Sequence, residues 1–157
     1  MSDPQQEFMQ SAIDEAIKSR DAGDYAVGAV VVKDGKIFTR ASNRSKRDES
    51  PIAHAEVLAI LDACKLSKSR HLVDCTLYVT HEPCPMCASV IVWAKMRVVV
   101  YGARIEDMKR FRDENANEQY LWRTIEIPCK EIFNKSTEKI ELVKDFMREE
   151  CIKLFHS

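Results

Sequence analysis

The chain has 157 residues, 45% hydrophobic and 31% charged, with a net charge of −1. Those figures fit one ordinary globular domain, residues 1–157, with room for a proper core. No apolar run is long enough to span a bilayer, and so small a charge excludes a strong overall pull towards nucleic acid or membrane, although a local basic patch stays open.

The first residues, Met1-Ser2-Asp3-Pro4-Gln5-Gln6, have neither the basic start nor the apolar core of a secretory signal. Residues 3–22 read as an amphipathic helix, with Asp3 as N-cap, Pro4 in the first position, Gln6 closing a capping box, and Phe8, Met9, Ala12, Ile13, Ala16 and Ile17 on one stripe. Residues 27–33 are a continuous apolar run, the pattern of a strand buried on both faces. Asp34-Gly35 is a hairpin signal, and residues 36–41 return antiparallel. Gly28 lets backbone come close, either to a ligand or to the first helix.

Residues 42–50 are polar and loop-like. Asn43 there either shapes the turn, the stronger reading from the loop alone, or offers an amide that both donates and accepts at the rim of a site. Ser50-Pro51 reads as N-cap and first position of a second helix, running to about Leu66. Residues 75–80 form a third strand. Residues 84–95 form a helix apolar around most of its girth, which calls for a sheet on one side and either a partner subunit or more of the same chain on the other. Residues 97–102 are a fourth strand, and strand–helix–strand implies a right-handed parallel crossover. Beyond it, residues 104–123 read as a charged helix, 128–133 as a short helical turn, 138–143 as a fifth strand and 144–155 as a final amphipathic helix.

Chemistry concentrates in two runs, Ala53-His54-Ala55-Glu56 and Pro83-Cys84-Pro85-Met86-Cys87, the second beginning 27 residues after Glu56. One imidazole and two thiols make three zinc ligands. A structural zinc site closes with a fourth protein ligand, whereas a catalytic one leaves that position to water. Glu56 is then the carboxylate placed to take and return a proton. Cys84 and Cys87 are i and i+3 and share a helix face, at the positive end that favours thiolate. His54 and Glu56 are i and i+2, and flank one small site only near a helix start. The other four cysteines, Cys64, Cys75, Cys129 and Cys151, sit in apolar patterns and read as buried thiols, which suits a reducing cytoplasm.

With these motifs placed, the chain resembles the cytidine deaminase-like superfamily, in the branch holding guanine deaminases, tRNA adenosine deaminases and fungal-type cytosine deaminases. The resemblance rests on Val27-Gly28-Ala29-Val30-Val31-Val32, Asn43 set 11 positions before His54, His54-Ala55-Glu56, Glu82-Pro83-Cys84-Pro85-Met86-Cys87 and Val99-Val100-Tyr101-Gly102-Ala103, and covers roughly residues 6–105. It implies an α/β fold, a three-layer α-β-α sandwich around a mixed five-stranded sheet, usually dimeric or larger. It implies Zn2+ on His54, Cys84 and Cys87, Glu56 as the catalytic proton carrier, and substrate contacts from Asn43, Ala55 and Glu82. His81 stands where relatives often carry Leu, Cys or another small or apolar residue, and could touch the substrate or titrate in the pocket. Ser50-Pro51 stands where relatives have Asp-Pro, and Ala26-Val27 where many carry proline or phenylalanine.

Three readings of function follow. The first is a zinc-dependent hydrolytic deaminase of a free nucleobase or nucleoside, guanine- or cytosine-type, working as a cytoplasmic homodimer. Its pocket would be lidded by an aromatic such as Phe155, Phe111, Tyr120 or Trp122. The second is a tRNA wobble adenosine deaminase, with Arg44, Lys46, Arg47, Lys68 and Arg70 as candidate phosphate contacts. The third, from another class, is a non-catalytic zinc-stabilised subunit that binds a partner. The near-neutral charge and the absence of the Gly-Ala-x-Gly-Ser run that tRNA enzymes carry after the fourth strand favour the first. A clear match to the acidic loop of guanine deaminases is missing too, although Asp107 and Asp113 are candidates for that role.

Overall fold

Five strands form one sheet in the order β2-β1-β3-β4-β5, drawn from a computed structural model that describes residues 3–115 and 120–155. In chain order the elements are α1 (Gln6–Asp21), β1 (Gly28–Lys33), β2 (Lys36–Ser42), α2 (Ala55–Ser67), β3 (Cys75–His81), α3 (Pro85–Trp93), β4 (Val98–Ala103), α4 (Ile105–Asn115), α5 (Cys129–Asn134), β5 (Glu141–Val143) and α6 (Arg148–Ile152). β1 is antiparallel to β2 and β3, while β3, β4 and β5 run parallel, so the sheet is mixed. The β1–β2 turn has Asp34 at φ 52° and Gly35 at φ 72°, the left-handed pair that a two-residue hairpin demands.

The alternation along β1 builds the three layers. Ala29 and Val31 face a core with α2, α3 and α5, through Ala59, Ile60, Ala88, Ile91 and Phe133. Val30 and Val32 face the other core, with α1 and the C-terminal segments, through Phe8, Met9, Ala12, Leu154 and Phe155. A strand covered on both faces needs no polar residue, hence the unbroken apolar run. Gly28 is explained by the first helix. A Cβ there would sit 2.0 Å from the Ala12 carbonyl oxygen and 2.5 Å from the Ala16 nitrogen.

Four boundaries differ from the sequence reading. α1 begins at Gln6, not Asp3. Gln5 is its N-cap without a side-chain cap, and the Gln5 N–H donates instead to the Tyr78 hydroxyl at 2.9 Å, tying the helix start to the sheet. α2 begins at Ala55 with His54 as N-cap, so Ser50 and Pro51 do not start it. Residues 44–50 fold into turns first, because the Lys46 and Arg47 backbone N–H groups donate to the Asp24 carboxylate at 3.1 and 3.0 Å. α4 stops at Asn115; of the longer helix read over 104–123, residues 116–119 lie outside the described ones, and Trp122, at φ 51°, is not helical. The final helix shrinks to Arg148–Ile152, since Asp145 and Met147 take left-handed backbone at φ 65° and 54°. That break is held by Asp145, whose two carboxylate oxygens accept from the Arg104 guanidinium.

All six cysteines are free thiols, with Cys75, Cys87, Cys129 and Cys151 buried. Among the described residues no helix is long and apolar enough to cross a membrane.

Candidate active site

Two helix N-termini and one strand end meet at a single point. His54 is the N-cap of α2, Cys84 is the N-cap of α3 with Pro85 in the first position, and β3 delivers His81 and Glu82 just ahead. His54 Nδ1 lies 3.7 Å from Cys84 Sγ and 3.5 Å from Cys87 Sγ, and the three ligand atoms all fall within 4.8 Å of one another. Bonds of about 2.0–2.3 Å to a tetrahedral ion put its ligands roughly 3.5–3.8 Å apart. The set therefore fits zinc by spacing as well as by donor type.

The ligand groups are electrostatically coupled. Cys84 is pulled down to about 4, chiefly by hydrogen bonding from Cys87 and also from His54, against the cost of its burial. Cys87 is pushed up, as the partner that keeps the shared proton. Glu56 is 4% exposed. Burial raises its carboxyl to about 7, with Cys84 adding to the rise and His54 opposing it. Its Oε2 is buried with no hydrogen-bond partner among the described residues. A buried carboxylate oxygen left open beside a metal-ligand set is a feature a purely structural zinc does not need.

These groups floor a cavity of about 340 Å³. Asn43, Ala55, His81 and Glu82 line it too, so these four candidates share one cavity with His54, Glu56 and Cys84. Their hydrogen bonds divide them. Asn43 Nδ2 donates to Asp24 Oδ1 at 2.9 Å, and the Ser45 N–H donates to its Oδ1 at 3.4 Å. Glu82 accepts from the Ile105 N–H at 3.2 Å and the Cys129 N–H at 3.0 Å, one on each oxygen. It thus ties the starts of α4 and α5 to the end of β3. His81 is 2% exposed, with Nδ1 2.7 Å from Thr80 Oγ1. Its ring stacks on Trp122 at 5.5 Å and meets the edge of Phe155 at 4.8 Å.

Of the four aromatics considered for the lid, only Trp122 lines the cavity. Phe155 packs behind it, edge to face at 4.9 Å, and Phe111 stacks on Phe155 at 5.3 Å. Asp107 and Asp113 do not reach the cavity. Asp107 is held by the Arg148 guanidinium at 2.7 and 2.9 Å and by the Arg104 N–H at 2.8 Å, and Asp113 is exposed beside Arg112. Sequence reasoning missed Asp24, a fully buried carboxylate that gathers Asn43, Lys46 and Arg47. It also missed Arg123, Thr124 and Ile125, which line the cavity beside Trp122. In sequence Asp24 looks like a helix stop, and residues 123–125 carry no motif.

Residues 2–103 match the family model described as the cytidine and deoxycytidylate deaminase zinc-binding region. The chain belongs to this family. Zinc is accordingly its cofactor, on a His/Cys/Cys set whose spacing suits it. The chain is 46% identical over 96 residues to a tRNA-specific adenosine deaminase of Bacillus subtilis, a stretch covering 61% of this chain and 60% of that one. It is 37% identical over 125 residues to a guanine deaminase of the same organism, covering 79% of this chain and 78% of that one. Among solved structures it superposes, with a TM-score of 0.75 and 27% identity, on one from "Biochemical and Structural Studies of A-to-I Editing by tRNA:A34 Deaminases at the Wobble Position of Transfer RNA". That match covers 96% of this chain and 100% of the other.

These matches correct the first functional reading. The relatives of higher identity act, by name, on adenosine in tRNA, so the free guanine or cytosine substrate gives way to the alternative. One of its supports also fails on physical grounds. Net charge sums the whole surface, whereas an RNA senses the charge at the rim of the cavity. The acids considered for a guanine-type loop are engaged elsewhere.

Proposed function

We propose that this protein is a hydrolytic tRNA adenosine deaminase that converts a wobble-position adenosine to inosine and releases ammonia. The observation that carries the reading is the 46% identity over 96 residues to a tRNA-specific adenosine deaminase. The cavity supports a deaminase, since Asn43 and Thr124 line it with groups that both donate and accept and Glu56 keeps one carboxylate oxygen open beside the zinc ligands.

Zinc, when bound, supplies Lewis-acid activation of water towards neutral pH. The rest falls to the chain's own groups. Glu56 takes a first proton from water on Oε2 and gives it to the ring nitrogen beside the attacked carbon, then takes the second proton from the hydroxyl now on that carbon and gives it to the departing amine. Val27, Ile105, Met108 and Trp122 give the cavity an apolar lining that limits bulk water in that exchange. Asn43, oriented by Asp24, keeps its remaining N–H for a base edge. Because adenosine inside a stem-loop is reached only once extruded from its neighbours, the substrate is a loop nucleotide and not a paired one.

The same reading takes residues 1–157 as one deaminase domain, acting as a homodimer in the cytoplasm. The outer side of α3 supports the dimer, since Trp93 is 78% exposed at its end, an unusual position for so large an apolar ring. The test is ammonia release and inosine content across an adenosine-34 anticodon hairpin, free adenosine, guanine and cytosine. Turnover of the hairpin alone is expected. Turnover of a free base at a comparable rate with none of the hairpin refutes the reading.

A further inference from the structure

The cations that the sequence suggests for phosphate contact are mostly engaged or remote. Arg44 pairs with Asp48 through two nitrogens at 2.9 Å. Arg47 reaches the buried Asp24 at 3.4 Å and donates to the Asn43 carbonyl at 2.6 Å. Lys46 lies over the Tyr120 ring at 4.6 Å. Lys68 and Arg70 follow the far end of the 13-residue α2, about 20 Å from His54 at 1.5 Å per residue. Another cation stands at the site itself. Arg123 lines the cavity between Trp122 and Thr124, is exposed, and has no carboxylate or hydrogen-bond partner among the described residues.

Size decides what such a cation meets. A cavity of about 340 Å³ lies at the small end of ligand pockets, roughly 300–1,000 Å³, and takes a single nucleoside. The phosphates on either side of that nucleoside stay outside, at the rim. A guanidinium with no partner to give up is ready for a phosphate oxygen there, in the bidentate geometry that Arg offers and Lys does not. Trp122 beside it is 5% exposed and packed against His81 and Phe155, so the backbone carrying Arg123 starts from a fixed point.

We propose that Arg123 binds a backbone phosphate flanking the reacting nucleotide and so makes the chain select a nucleotide within RNA over a free nucleoside. The inference rests on the tRNA adenosine reading above. The test measures binding of an end-labelled anticodon hairpin by fluorescence anisotropy at several salt concentrations, in the zinc-loaded Glu56→Ala background so that substrate persists. Inosine formation by the parent protein on the same hairpin is measured alongside. Arg123→Ala is expected to weaken binding several-fold at low salt and to flatten the log Kd against log salt slope by about 0.7–1, the loss of one phosphate contact. Arg123→Lys keeps the slope, since the charge remains, and Arg70→Ala, at the distant end of α2, changes nothing. A parental slope in Arg123→Ala overturns the assignment, as does an equal loss in Arg70→Ala, which would mark bulk charge instead of a local contact. A parent protein that leaves the hairpin adenosine unchanged overturns the tRNA reading itself, and the two failures are told apart by that arm alone.

Discussion

Glu82→Gln separates a structural tie from a substrate contact. In the structure both carboxylate oxygens are spent on backbone N–H groups, those of Ile105 and Cys129 at the starts of α4 and α5. Each is a bond to a charged acceptor, worth about 1.5–3 kcal/mol. Glutamine keeps one, at roughly half strength because it is neutral. The other oxygen becomes an NH2 aimed at a backbone N–H, which leaves two buried donors facing each other. With Glu82 only 6% exposed, water does little to relieve them. The net loss is about 3 kcal/mol, and at about 2–4 °C per kcal/mol for a chain of this length the midpoint falls by roughly 6–12 °C. Thermal unfolding followed by circular dichroism reads this directly, with zinc per chain measured in parallel because Cys84 lies two residues on. If Glu82→Gln melted with the parent and lost only turnover, the carboxylate would be acting on substrate, and the two-helix tie would be the wrong account.

Glu56→Ala should retain one zinc per chain and lose deamination by about 10²–10⁴-fold, the usual worth of a positioned acid–base group; inosine formation at the parental rate would remove Glu56 from the chemistry. Stripping zinc with a chelator should abolish turnover and lower the unfolding midpoint together, and restoring zinc should recover both. Asp107→Asn tests the clamp on α6. Burial alone would raise that carboxyl, but the Arg148 guanidinium and the Arg104 N–H outweigh it and hold the pKa below its ordinary value. A depressed pKa means stability that is complete above the unfolded value, near 3.9, and lost as pH falls through the folded one. With Arg148 itself partly exposed, the variant should be weaker by about 2 kcal/mol at pH 7. Urea unfolding should show that gap closing towards pH 3; an equal gap at both pH values would mean that charge is not what Asp107 contributes.

What could be read from the chain, and what could not, follows from the range of the interactions involved. The zinc set was legible because its residues lie in two short runs, His54 to Glu56 and Cys84 to Cys87, and each run carries its own helix start. The sheet was legible because β1 and its neighbours are apolar with turns between them, a pattern that needs no partner to recognise. The errors fall where a distant charge overrules local preference. Ser50-Pro51 is a good helix start by itself, yet Asp24, more than twenty positions earlier, draws the preceding loop into turns and postpones α2 to Ala55. The last helix is amphipathic over its full expected length, yet Arg104 captures Asp145 and breaks it. The cavity wall suffers the same fate. Trp122 and Arg123 reach the site on a stretch with no regular structure, and ring contacts of Trp122 with Tyr25, His81 and Phe155, all distant in sequence, hold it there. The zinc-ligand set is therefore written in local motifs, and the cavity wall in long-range contacts. That is why the motifs point to zinc chemistry at once and do not by themselves name the base.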